Sequence, residues 1–294
     1  MSKGFRLLLA RQEAEKFLKE EGITTLPVDP FAIAKSRGIT VEGKPESAEG
    51  VSGMLLRYGD TFGIIYGTHI PSTGFQRFSV SHELGHYFLP GHMDHILPKD
   101  GAHVSRAGFV TADSYELEAD HFASGLLMPT TPFKRAIGRS DPGLDAVIAA
   151  AELCQTSLTS TAIRFAGLTD AAVAVILSTG NMIDYCFLSD AMKSLPKLDW
   201  LRKGSPVPAG TATAALASNP QRVFGGDRIG EEIDVRDWLG GTRTATVSEE
   251  SIGLGNYGKV LTVLVSTEIG QEDEEIEISE EEDFIESWTP RFRR

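Results

Sequence analysis

Cysteine is scarce in this 294-residue chain: Cys154 and Cys186 are the only two, far apart and each in an apolar context. A disulfide scaffold and a four-cysteine metal site are therefore both excluded, and two reduced core cysteines are expected. Long apolar runs are also missing. None approaches the roughly 18 residues that a membrane-spanning helix needs. The opening stretch from Met1 to Lys16 holds only a four-residue apolar run, short of a signal peptide. The expected setting is the cytoplasm, with no membrane partner. Basic charge is absent from one segment altogether. Residues 268–286 hold eleven acids and no Lys or Arg, so most of the formal charge of -13 belongs to them, and the remainder is nearly neutral with 30 acids against 28 bases. Without a basic surface, direct nucleic-acid binding is not expected. The self-repelling stretch reads as a solvated acidic tail over 268–294.

What is there is an ordinary globular composition, 41 % hydrophobic against 23 % charged, long enough for two domains. Apolar residues recur at helical spacing from Arg6 to Glu21 and again from Pro27 to Gly38, where Asp29 and Pro30 supply a cap and a first-turn residue. A short strand follows at Ile39 to Glu42. Gly53 to Tyr58 and Thr61 to Tyr66 flank Gly59-Asp60 as a hairpin. Helical period then runs from Phe78 to Leu89 and from Asp113 to Met128, each closed by a proline, with the stretch between them read as a connection. Leu144–Leu153 and Leu158–Phe165 form a helix-turn-helix outline with little basic charge. After a change of character near residue 168, Ala172–Leu177, Ile183–Leu188 and Val260–Val265 are strand candidates. The expected fold class is α+β: a first domain over 1–130 with helices beside a small sheet, a helical segment over 131–168, and a C-terminal mixed α/β sheet domain over 169–267.

One segment carries chemistry. Ser81-His82-Glu83-Leu84-Gly85-His86 holds His-Glu-x-x-His on a helix. Four residues is just over one turn, so His82 and His86 project about 40° apart and can share one tetrahedral metal. Both point roughly away from the stripe Val80, Leu84, Tyr87 and Phe88, which disfavours a core pair. Glu83, one residue round, is placed to hold water and take its proton. Gly85 leaves room for a backbone or a substrate. A catalytic zinc takes three protein ligands, and the next helix offers the third. There Glu116 lies about 50° from the apolar stripe centre and Glu118 about 110°. Glu116 is thus the inward carboxylate, and burial without a cation would cost it several kcal/mol. Asp120, one turn on, is placed to accept the second ring N–H of a metal-bound histidine. His121 is expected to face solvent. The strand Thr61 to Tyr66 is expected to offer an edge for an extended substrate. Among Tyr66, His69, Tyr87, His92, His95 and His103, nothing singles out an oxyanion stabiliser.

Arg77 through His86, followed by Glu116-x-Glu118-Ala119-Asp120-x-Phe122-Ala123-x-x-Leu126-Leu127-Met128-Pro129, resembles the ImmA/IrrE family of zinc metallo-endopeptidases over roughly residues 5–165. The C-terminal third resembles a GAF-type sensor domain found in some larger members. The resemblance implies Zn2+ held by His82, His86 and Glu116, with Glu83 as base. It also implies a protein substrate, a helix-turn-helix transcriptional repressor whose cleavage relieves repression in a stress or mobile-element response. The Asp120 position is often Asn in relatives. Two other classes remain beside this one: a metal-stabilised module that sequesters a regulatory protein without cutting it, and a DNA-binding regulator using Leu144 to Phe165, which the near-neutral body opposes.

Overall fold

The computed structural model describes residues 3–45, 51–97, 100–106, 113–195, 198–199, 201–242 and 244–266, so the acidic tail expected over 268–294 lies outside it. The chain divides into two compact units, one of residues up to Phe133 with Ala151–Ser157, the other of Lys134–Ala150 with residues from Leu158 on. Among the described residues no single helix is long and apolar enough to cross a membrane.

The first unit is α+β. Helices α1 (Lys3–Glu20) and α2 (Pro30–Ser36) precede a sheet of β1 (Thr40–Lys44), β2 (Val51–Tyr58), β3 (Thr61–Gly67) and β4 (Asp100–Arg106). Between and after the last two strands come α3 (Thr73–Phe88), α4 (His92–Ile96) and α5 (Ser114–Leu127). Asp29 Oδ1 accepts the Phe31 N–H at 2.9 Å and caps α2 as its sequence requires. Gly59, at φ +56°, makes the two-residue turn that pairs Tyr58 with Thr61. Helix α3 starts five residues earlier than its apolar period shows, because Ser72 caps it by accepting the Phe75 N–H at 3.3 Å.

The strand order is β1-β3-β2-β4, with β1 parallel to β3 and the other pairs antiparallel. This corrects one expectation: β3 is hydrogen-bonded on both sides and offers no edge. The edges among the described residues are β1 and β4. Strand β4 is polar and Gly-containing, and its pairing with β2 is distant in sequence, so periodicity does not reveal it. Leu55 and Ile64 from the sheet, Val80 and Leu84 from α3, Phe122 and Leu126 from α5, and Ala14 and Leu18 from α1 close one buried core. Helix α5 is packed on two sides, by α1 and by α3.

The helices α6 (Thr130–Ile137) and α7 (Leu144–Cys154) contribute residues to both units. The second unit continues with α8 (Leu158–Ala166), β5 (Ala172–Thr179), β6 (Met182–Leu188), α9 (Asp190–Lys193), α10 (Ala212–Ala217), α11 (Pro220–Gly225), β7 (Arg228–Asp234), α12 (Val235–Leu239), β8 (Thr246–Gly253) and β9 (Lys259–Ser266). Its sheet runs β6-β5-β9-β8-β7, antiparallel throughout. Ile176, Leu264, Val247 and Trp238 are buried in its core. Glu249, fully buried, accepts the Thr213 N–H at 2.8 Å and ties α10 to β8.

Candidate metal centre

Helix α3 brings its two histidines to one point. The Nε2 atoms of His82 and His86 lie 3.0 Å apart. Glu116 on α5 meets both: Oε2 is 3.4 Å from His82 Nε2 and Oε1 is 3.2 Å from His86 Nε2. Four atoms held about 2.0–2.1 Å from one zinc at tetrahedral angles stand about 3.3–3.4 Å from each other. The 3.0 Å between the two histidine nitrogens is close to one edge of such a tetrahedron, and Glu116 reaches one nitrogen through each of its oxygens, at 3.4 and 3.2 Å. A cation suits this set for a second reason. Two imidazole nitrogens facing a carboxylate converge lone pairs in a buried place, and a shared positive centre satisfies all three. Their donor atoms are mutually within 4.8 Å, as a metal site requires. Helix α5 lies against both histidines through Glu116 and Asp120, and both are buried.

Each of the three has its own hydrogen-bond partner, from a different element. His82 Nδ1 lies 2.8 Å from Asp120 Oδ1 on α5. His86 Nδ1 lies 3.1 Å from His92 Nδ1 on α4. Glu116 Oε1 accepts from His103 Nε2 on β4 at 2.8 Å. Engagement of each histidine through Nδ1 leaves Nε2 for the metal.

Glu83 is fully buried, and its carboxylate sits where β2 has no side chain. A Cβ on Gly53 would lie 2.5 Å from Glu83 Oε1. The register of β2 against β4 shifts between Val51 and Gly53, a bulge beside the site. Among the described residues neither Glu83 oxygen meets hydrogen-bond geometry with a partner, although Ser105 on β4 faces it.

Burial pushes the Glu83 carboxyl up to about 7 against the downward pull of His82. Burial likewise lifts Asp120 to about 6. Burial would also raise Glu116, but hydrogen bonds from His103, His82 and His86 hold it far below the carboxylate range. Burial disfavours charge on His82, yet Asp120 and Glu116 outweigh it and its proton affinity stands well above the histidine norm. His86 goes the other way, down to about 3, because burial and the neighbouring His82 outweigh Glu116.

The structure therefore brings His82, His86, Glu116 and Asp120 together and sets Glu83 beside them. Two expectations are corrected. Glu118 is enclosed, not outward: Oε1 pairs with Arg6 at 2.6 Å and Oε2 lies 3.3 Å from His92 Nε2. His121 is partly buried, with Nδ1 3.0 Å from an Arg11 guanidinium nitrogen. Both follow from α1 packing on the side of α5 that a single-stripe count leaves to solvent. His92 and His103 are the residues that sequence reasoning did not single out. Isolated histidines in a connection carry no periodic signal.

Two inward histidines and a glutamate on neighbouring helices, with a carboxylate one residue after the first histidine, define a site of the metallopeptidase type. Residues 34–165 match the peptidase M78 family model described as the IrrE N-terminal-like domain. The match ends before β5. No curated protein sequence matches the chain. Among solved structures, a Mycobacterium tuberculosis transcriptional regulator is similar at 15 % identity with a TM-score of 0.58, over 87 % of this chain and 76 % of that one. At that identity the likeness is one of fold.

Proposed function

We propose that this protein is a zinc-dependent endopeptidase of the cytoplasm that cleaves a protein partner, a helix-turn-helix transcriptional repressor, and so relieves repression in a stress or mobile-element response. The observation that carries this is the convergence of His82 Nε2, His86 Nε2 and the Glu116 carboxylate, each pair in contact at 3.0 to 3.4 Å, with Glu83 alongside. Two imidazoles and a carboxylate suit zinc best among common divalent ions. Bound there, zinc would supply Lewis acidity toward the scissile carbonyl and acidify water.

The chain's own residues do the rest. Glu83 accepts the proton of the attacking water and returns it to the leaving amine, a task for which a carboxyl lifted to about 7 is suited. His82, His86 and Glu116 are kept in position by Asp120, His92 and His103. His103 is also the most exposed histidine of the cluster, at 18 % side-chain exposure. The edge strand β4, which carries His103 and Ser105, is the surface on which an extended substrate pairs by its backbone. The second unit, with a sheet of its own, serves as the sensor that licenses cleavage.

The test is zinc content by elemental mass spectrometry for wild type, His86→Ala and Glu116→Ala, followed by incubation of zinc-loaded wild type and Glu83→Gln with helix-turn-helix repressors from the same genome. About one zinc per chain, lost in both ligand variants, and cleavage lost in Glu83→Gln with zinc retained, is the expected result. Equal behaviour of wild type and Glu83→Gln toward a bound repressor would favour a sequestering module instead.

A further inference from the structure

The two histidines of α3 are supported unequally. His82 leans on one carboxylate, Asp120. His86 leans on another histidine, and behind it stands a line of side chains that the hydrolytic chemistry does not require. His86 Nδ1 meets His92 Nδ1 at 3.1 Å, His92 Nε2 meets Glu118 Oε2 at 3.3 Å, and Glu118 Oε1 meets an Arg6 guanidinium nitrogen at 2.6 Å. Four elements contribute one residue each: α3, α4, α5 and α1. Both histidines are fully buried. Tyr115 braces the outer end, with Arg6 over its ring at 5.5 Å and the His92 ring edge-on at 4.9 Å.

The protons of this line are fixed by counting. A neutral imidazole has one N–H and one lone pair. His86 Nε2 faces His82 Nε2 and Glu116, so it is the ligand nitrogen, and the His86 proton sits on Nδ1. The Nδ1···Nδ1 contact holds a single proton, so His92 accepts there and carries its own proton on Nε2. That proton points at Glu118, a carboxylate that in turn needs a cation and has Arg6. Both steps through His92 have one donor and one acceptor, Arg6 closes the line as an ion pair, and the direction follows from which nitrogen of His86 takes the metal.

We propose that His92, Glu118 and Arg6 are a positioning chain that locks His86 into the tautomer presenting Nε2 and thereby sets how tightly the metal is held; this rests on the metallopeptidase reading above. A histidine suits the middle place better than a carboxylate would. Glu83, Glu116 and Asp120 already gather negative charge at the site, and a fourth carboxylate against His86 would crowd it further. His92 transmits orientation without charge and moves the carboxylate one ring farther out, where Arg6 offsets it.

The readout is Zn2+ affinity of the full chain by competition with a chromophoric chelator, with circular dichroism to check folding. His92→Leu is expected to raise the Kd by a factor of about 10 to 100, the usual effect of losing a histidine ligand's partner. His92→Asn, whose side-chain oxygen can still accept the His86 N–H, is expected to regain most of that loss. Glu118→Gln, which keeps shape but removes the charge, is expected to fall between, and Arg6→Met to weaken binding less. A structural filler at position 92 would not distinguish Asn from Leu in this way. Wild-type affinity in His92→Leu, or Asn no better than Leu, would overturn the proposal. If the leucine variant does not fold, Glu118→Gln decides on the same readout, an unchanged Kd overturning the chain. Failure of wild type to bind zinc would instead count against the metallopeptidase reading itself.

Discussion

The Glu83 carboxylate occupies the space that a side chain at position 53 would take. The Cβ of any other residue on Gly53 would fall 2.5 Å from Oε1, nearer than any tolerated contact, while the backbone of β2 stays ordinary. Glycine is required here for room and not for conformation. Gly53→Ala should push the free end of the Glu83 side chain off its mark. Because only that end has to move, the thermal midpoint is expected to change little and zinc stoichiometry not at all. Turnover of a repressor substrate should fall by about tenfold or more, ~1.4 kcal/mol of barrier or above. The check is kcat/KM of the zinc-loaded variant beside its metal content.

Gly85 answers to a different constraint. A Cβ there would stand 3.1 Å from Ala119 Cα and 3.2 Å from the Ala119 carbonyl oxygen, so the space it leaves admits the backbone of α5. Gly85→Val is expected to wedge α3 from α5 and draw Glu116 away from the two histidines. Overpacking of this kind costs about 1–3 kcal/mol. A lowered denaturant midpoint together with weakened zinc binding is the predicted pair of results, in contrast to Gly53→Ala.

Asp120 holds His82 through a 2.8 Å contact, and its other oxygen has no partner among the described residues. Asp120→Ala should weaken zinc binding by about 10 to 100-fold. Asp120→Asn, which keeps an acceptor oxygen, should lose much less, and zinc titration of the two variants separates the acceptor from its charge.

Much of this site is written in local pattern. The four-residue step from His82 to His86 and the helical period around Glu116 place three ligand atoms without knowledge of the fold, and the extra turn from Glu116 to Asp120 places the first support. The rest depends on contacts that one helix cannot announce. Glu118 and His121 look outward on a single-stripe wheel, yet α1, more than a hundred residues earlier, covers that side through Arg6 and Arg11. His103 arrives on β4, whose sequence Asp-Gly-Ala-His-Val-Ser-Arg has no strand signature and becomes a strand only by pairing with β2. In the second unit β7 and β8 escape notice for a similar reason: Arg-Ile-Gly-Glu-Glu-Ile-Asp and Thr-Val-Ser-Glu-Glu-Ser-Ile-Gly are too charged to read as strands until the sheet is assembled.

Metal binding should also be legible as stability. An ion held by His82, His86 and Glu116 would join α3 to α5 and bind the folded chain alone, so free zinc at about 100 times its Kd is expected to stabilise wild type by about 2.7 kcal/mol. Glu116→Ala should show no such response, and EDTA should lower the wild-type midpoint to that of the untreated variant. Differential scanning calorimetry with and without zinc tests both.

From His82 to Asp120 the three candidate ligands, Glu83 and all three direct supports lie at most 38 positions apart in the chain. A single exchange of roughly forty codons would therefore carry the chemical centre whole from one protein to another. It would leave behind Arg6 and Gly53, the distant counter-charge and the vacancy that the centre needs. A newly grafted centre would hold its ion less tightly and aim its base poorly until a recipient scaffold acquired those two features.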